Sequence, residues 1–109
     1  MPKRPAQTAV LDPVEQLVAR ARRMRSKGEA KRSLTLLREA CCLAEQDARL
    51  WTLYSIQCWR LGQRNEGRRA LRQALWLRER ERDESRVRVL KQLLLAMESA
   101  CAPDELRAA

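Results

Sequence analysis

From Asp12 to about Ala100, apolar residues return every three or four positions, the period of helices that bury one face. Leu17, Ala21 and Met24 form one stripe, closed by Gly28. Leu34, Leu37, Ala40, Cys41 and Ala44 form a second. A third segment spans Arg49 to Leu61 and stops at Gly62, and a fourth carries Gly67, Ala70, Leu71, Ala74, Leu75 and Leu77. Val87, Leu90, Leu94 and Met97 make a fifth. The ends carry capping chemistry. Asp12-Pro13-Val14-Glu15 places a carboxylate at an N-cap, proline at the first helical position and glutamate at the third. Glu29 opens the second helix, which reaches about Gln46. Asp47 caps the third helix and Asn65 is the candidate cap of the fourth. The mixed-sign run from Arg78 to Glu84 reads as a solvated helix end or turn. Asp83 or Ser85 starts the last helix, which runs to about Ala100 before Pro103 ends the order. Residues 1–11, with Pro2 and Pro5, read as a flexible basic tail, residues 12–102 as one helical domain, and residues 103–109 as a short second tail.

The two inner glycines are 34 residues apart, and other positions keep that offset. Leu17 pairs with Trp51, Ala21 with Ser55, Met24 with Cys58, Ser33 with Gly67, Leu37 with Leu71, and Ala40 with Ala74. Large residues match large ones and small match small, as stacked helices require where their closest crossings admit only Gly, Ala or Ser. In this spacing the chain resembles the tetratricopeptide repeat family, over Val14 to about Arg82. Trp51, Ser55, Gly62, Gly67, Leu71 and Ala74 stand in the family's places, as do Leu17, Ala21, Gly28, Ser33, Leu37 and Ala40. The family's proline near the end of each repeat is absent, with Glu45 and Glu79 in its place, so the second helix of each pair is expected to run longer. Pro103 falls where a third repeat would need its second helix. The last helix therefore looks like the single capping helix of such arrays. The fold class expected from the resemblance is all-α, an α-α superhelix of two helical hairpins plus a C-terminal capping helix.

The resemblance also implies a function. In the family the first helices of the pairs line a concave groove where partners bind. Its groove positions correspond here to Glu15, Val18, Arg22, Arg25 and Ser26, then to Arg49, Thr52, Ile56, Trp59 and Arg60. Four arginines face one glutamate, with Ile56 and Trp59 as apolar contacts. That set suits an acidic or amphipathic segment of a partner protein. In the opposing reading, Trp59 packs under the capping helix and the arginines are only solvated. The lysine and asparagine with which some family members clamp a chaperone's terminal carboxylate are replaced by Val18 and Arg22, which argues against that ligand. Trp51 and Trp76 read as packing residues, Tyr54 as an inter-helix contact and Cys58 as a small core hydrophobe.

Composition narrows the alternatives. Hydrophobic residues make up 45% of the chain but aromatics only 4%, which favours helix over a sheet rich in Val, Ile, Thr and aromatics. A formal charge of +9 and nineteen arginines among 23 basic residues attract acidic surfaces, or else reflect the codon bias of a GC-rich bacterial genome. Non-specific nucleic-acid binding is the rival class. It is opposed by the spread of arginines around all the helices and by the lack of any nucleic-acid motif. The sequence has no histidine, no phosphate loop and no nucleophile spaced from a base, so neither an enzyme nor a cofactor is expected. The four cysteines lack CxxC spacing and read as reduced thiols, with no metal site. No apolar run approaches a membrane span, so a cytoplasmic location is expected. The run Leu93-Leu94-Leu95-Ala96-Met97 exceeds what a capping helix buries. A homodimer or permanent hetero-complex through that helix follows, as in an assembly factor or chaperone.

Overall fold

A computed structural model describes the backbone of residues 12–108 and the side chains of residues 12–99. The expected tail at residues 1–11 and the Cys101 side chain lie outside the described residues. Five helices follow one another: α1 Pro13–Ser26, α2 Ala30–Leu43, α3 Ala48–Arg60, α4 Arg64–Arg80 and α5 Glu84–Ala108. No strand occurs among the described residues. No described helix is long and apolar enough to cross a membrane. Chain contacts divide the protein after Ala44 into two compact units, the hairpin α1–α2 and the three-helix unit α3–α4–α5.

Local chemistry sets the helix ends. The Asp12 carboxylate accepts the Glu15 N–H at 2.8 Å, and Pro13 stands at the first position, where its missing N–H costs nothing. Asp47 accepts the Arg49 N–H at 3.0 Å and starts α3. Gly28 and Gly62 both have positive φ, +85° and +81°. At each, the glycine N–H donates three residues back and the following N–H donates five back: Gly28 to Arg25 and Glu29 to Met24, Gly62 to Trp59 and Gln63 to Cys58. A Cβ at either glycine would meet nothing within 4 Å, so the backbone conformation alone calls for glycine there. The α4–α5 turn repeats the same pair of bonds, Arg82 to Glu79 and Asp83 to Arg78, each at 3.1 Å, with Arg82 held at φ +59°.

Five boundaries differ from the sequence reading. Helix α2 ends at Leu43 instead of running to Gln46, because Ala44 leaves the helical region and the Trp51 indole N–H ties down the Glu45 carbonyl at 2.9 Å. The expected lengthening of the second helix is therefore not seen in the first pair. Gln63, not Asn65, precedes α4, since the Gly62 turn consumes only three residues; Asn65 falls in the first turn and accepts from the Arg68 guanidinium. Helix α3 starts and ends one residue early. Helix α5 continues through Pro103 to Ala108. Proline removes one intrahelical N–H there, and the flanking Ala102, Glu105, Leu106 and Arg107 are good helix formers.

The 34-residue pattern corresponds to one physical feature found in each hairpin. Where α1 meets α2, the buried Ser33 hydroxyl donates to the Ala21 carbonyl at 2.8 Å. Where α3 meets α4, the buried Ser55 hydroxyl donates to the Gly67 carbonyl, also at 2.8 Å. The positions are equivalent but the serine has changed helix. At Gly67 an added Cβ would lie 3.1 Å from the Ser55 carbonyl oxygen and 3.4 Å from the Trp59 backbone nitrogen. Around the first crossing Leu17, Val18, Leu34, Leu37, Ala40 and Cys41 are buried. Around the second are Tyr54, Cys58, Ala70 and Leu71, and α5 adds Leu90 and Met97 to a cluster with Ala48, Ala74 and Leu77. The Tyr54 hydroxyl donates to Glu66 at 3.0 Å, and Arg72 bonds Glu98 at 2.7 Å between α4 and α5.

Two stability changes follow. In Gly67→Ala the new methyl meets backbone atoms that cannot swing aside. Overpacking of about 1–3 kcal/mol then outweighs the roughly 1 kcal/mol gained in helix propensity, and thermal denaturation should give a lower Tm. An unchanged or higher Tm rejects the close crossing. Arg82→Gly relieves a left-handed conformation that costs an L-residue roughly 1–2 kcal/mol, partly offset by glycine's freedom when unfolded. Its Tm should rise by a few degrees; a fall counts against the turn geometry.

Candidate functional site

The arginines expected to line a groove occupy exposed positions. In the first unit Arg22 and Arg25 are exposed on α1, the Ser26 hydroxyl donates back to the Arg22 carbonyl at 3.1 Å, and Glu15 is half-buried. Val18 is 5% exposed and offers a partner little surface. In the second unit Arg49 and Arg60 are exposed on α3, while Thr52, Ile56 and Trp59 are half-buried. Trp59 packs against the cluster that contains Leu90 and Met97, with the Arg64 guanidinium 5.5 Å from its ring centre. Trp59 is therefore engaged in part with the core of its own unit.

Trp76, read from the sequence as a packing residue, is instead 49% exposed. The buried arc of α4 is Gly67, Ala70, Leu71, Ala74 and Leu77, and Trp76 lies two residues from Ala74, about 200° around the helix. The Arg80 guanidinium sits 4.7 Å from its ring centre. Trp51 and Tyr54 meet edge to face at 6.4 Å, and Tyr54 bridges α3 to α4 as expected. Burial, with Cys58 and Glu66 nearby, pushes the Tyr54 hydroxyl well above its ordinary range, so it remains a donor at neutral pH. Cys41 and Cys58 are buried and Cys42 is exposed.

Of the expected groove residues, Arg49 and Thr52 come together in a cleft of about 400 Å³ inside the second unit. Leu53 from α3, Arg78 from α4, and Arg86, Val89 and Leu90 from α5 complete it. Leu53 is 36% and Val89 62% exposed, so the cleft offers apolar surface to solvent. Its three arginines stand beside carboxylates. Arg49 lies 3.6 Å from Asp47, Arg78 lies 3.1 Å from Glu81 and 3.9 Å from Asp83, and Arg86 lies 3.1 Å from Asp83. The rim is therefore orienting more than it is net positive, and each guanidinium is presented in a held position. Sequence reasoning missed Leu53, Arg78, Arg86 and Val89 because the cleft joins three helices.

Asp83 organises the turn beside this cleft. Its carboxylate accepts the Arg86 N–H at 3.2 Å, the Arg86 guanidinium at 3.1 Å and the Ser85 hydroxyl at 3.2 Å. The Arg86 N–H first, then its guanidinium, hold the Asp83 pKa below the ordinary 3.8. A carboxylate lowered on folding stabilises the fold above its unfolded pKa, and that stabilisation disappears as pH falls through the lowered folded value. An NMR titration should place the Asp83 midpoint below 3.8, with the first turn of α5 loosening as it protonates. A midpoint at or above that value contradicts the capping role.

Compared with protein-family models, curated proteins and solved structures, the chain matches none.

Proposed function

We propose that the chain is a tetratricopeptide-like protein-interaction module that takes an amphipathic, partly acidic segment of another protein. The observation that carries this reading is the cleft of Leu53, Val89 and Leu90 rimmed by Arg49, Arg78 and Arg86. Apolar surface at its floor supplies affinity, and held guanidinium forks select a carboxylate at its edge, the division of labour found at protein interfaces. The hairpins support the family resemblance through their glycine turns and small-residue crossings. On this reading the exposed Arg22, Arg25 and Arg60 add long-range attraction for an acidic partner, and Val89 and Leu95 on α5 are the surfaces a permanent partner would cover. Adapter and assembly-factor roles both use such a surface.

The rival reading, non-specific nucleic-acid binding, has the overall charge in its favour and the local pairing of cleft arginines against it. A fluorescence-polarisation assay separates the two. The probes are a 15-residue acidic amphipathic peptide and a single-stranded oligonucleotide of the same length, at roughly 150 mM salt. The peptide should bind, and Val89→Glu, at an exposed position that tolerates the change, should weaken it roughly tenfold or more. Arg49→Ala should weaken it less and flatten its salt dependence. Tighter binding of the oligonucleotide, or indifference to Val89→Glu, rejects the proposal.

A further inference from the structure

The turn between α4 and α5 holds its cations in two ways. Those that border the Leu53–Val89 cleft, Arg78 and Arg86, are each within 3.1 Å of a carboxylate. A second cleft of about 400 Å³ is lined by Glu79, Arg82, Glu84, Val87, Arg88 and Lys91. Among the described residues, Arg82, Arg88 and Lys91 pair with no carboxylate, although Glu79 and Glu84 line the same hollow.

Backbone conformation supplies an independent observation. Three turns in this protein share one hydrogen-bond pattern and one positive φ, and two of them use glycine. At the third stands Arg82, the only non-glycine residue with positive φ among those described. It carries a conformational cost that glycine avoids, and its side chain opens onto the cleft. A non-glycine residue held at positive φ beside a cluster of unpaired charge marks a candidate functional position.

We propose that this second cleft binds a small oxyanion, a phosphoryl or carboxylate group. Arg82 and Arg88 offer forked donors and Lys91 a compact charge for the anion. Glu79 and Glu84 temper the positive field of the three cations, and Val87 provides an apolar wall. The site is distinct from the Leu53–Val89 cleft and does not depend on the protein-binding role.

Side-chain NMR of the full chain, titrated with pyrophosphate and separately with citrate at constant ionic strength, tests the site. The Arg82 and Arg88 Nε–H resonances should shift saturably while those of exposed Arg20 and Arg23 stay still. Saturation by pyrophosphate alone identifies a phosphoryl ligand, and by citrate alone a carboxylate one. Arg82→Gly should melt at a higher temperature than the parent yet bind the saturating anion roughly tenfold more weakly, which separates lost binding from lost folding. Glu84→Gln should tighten binding, because it removes a repelling charge. Uniform, unsaturable shifts at all arginines, saturation by neither anion, or unchanged affinity in Arg82→Gly overturns the proposal.

Discussion

Two helix backbones can come within hydrogen-bond reach of a serine hydroxyl only where neither carries a large side chain, and that constraint organises both hairpins. At one crossing the small residues are Ala21 and Ser33, at the other Ser55 and Gly67. The serine anchors the approach by donating to a carbonyl across the gap, a bond of about 0.5–1.5 kcal/mol net that also forbids sliding. Once the crossing is set, Leu37 and Leu71 fall into equivalent buried positions, and the chain must reverse within three residues. Reversal in that space demands a left-handed residue, which Gly28 and Gly62 provide. Turn chemistry, core composition and the 34-residue spacing are thus consequences of one geometric requirement.

What could be read from the sequence follows from how local each feature is. The Asp12 and Asp47 caps, the glycine turns and the small-residue pairs are encoded within a few residues or in a fixed offset, and they were legible. The third left-handed turn was not, because arginine there gives no compositional signal. Trp59 and Trp76 show the limit of helical periodicity. Both lie near apolar neighbours in sequence, yet Trp59 packs against the core of its unit while Trp76 projects from the far side of α4. Pro103 misled because a proline is a local veto on hydrogen bonding that good helix formers on either side can outweigh. The cleft was half legible: Arg49 and Thr52 come from α3 at expected positions, but Leu53, Arg78, Arg86 and Val89 meet only through the packing of three helices.

Electrostatics divides the surface more finely than the net charge of +9 suggests. Much of the arginine excess is locally answered, as by Glu66 for Arg69, Glu98 for Arg72 and Asp83 for Arg86. Exposed pairs of this kind contribute little to stability, on the order of 0–1 kcal/mol each, but they hold guanidinium groups in place. On the proposed reading, a positioned guanidinium beside exposed leucine and valine forms the docking surface. Unanswered ones beside a strained backbone make an anion site. The same turn, capped by Asp83, serves both clefts.

The most direct test of the shared crossing is to exchange its residues in the second unit, giving it the first unit's arrangement. Gly67→Ser alone should destabilise the protein, since its Cβ presses on the α3 backbone and its hydroxyl shares one narrow gap with that of Ser55. Adding Ser55→Ala should recover the part of that loss due to the second hydroxyl, leaving a coupling of about 1 kcal/mol between the sites when the four proteins are compared by urea denaturation. Additive losses, with the double variant less stable than Gly67→Ser, would show that the two hairpins do not cross by the same rule.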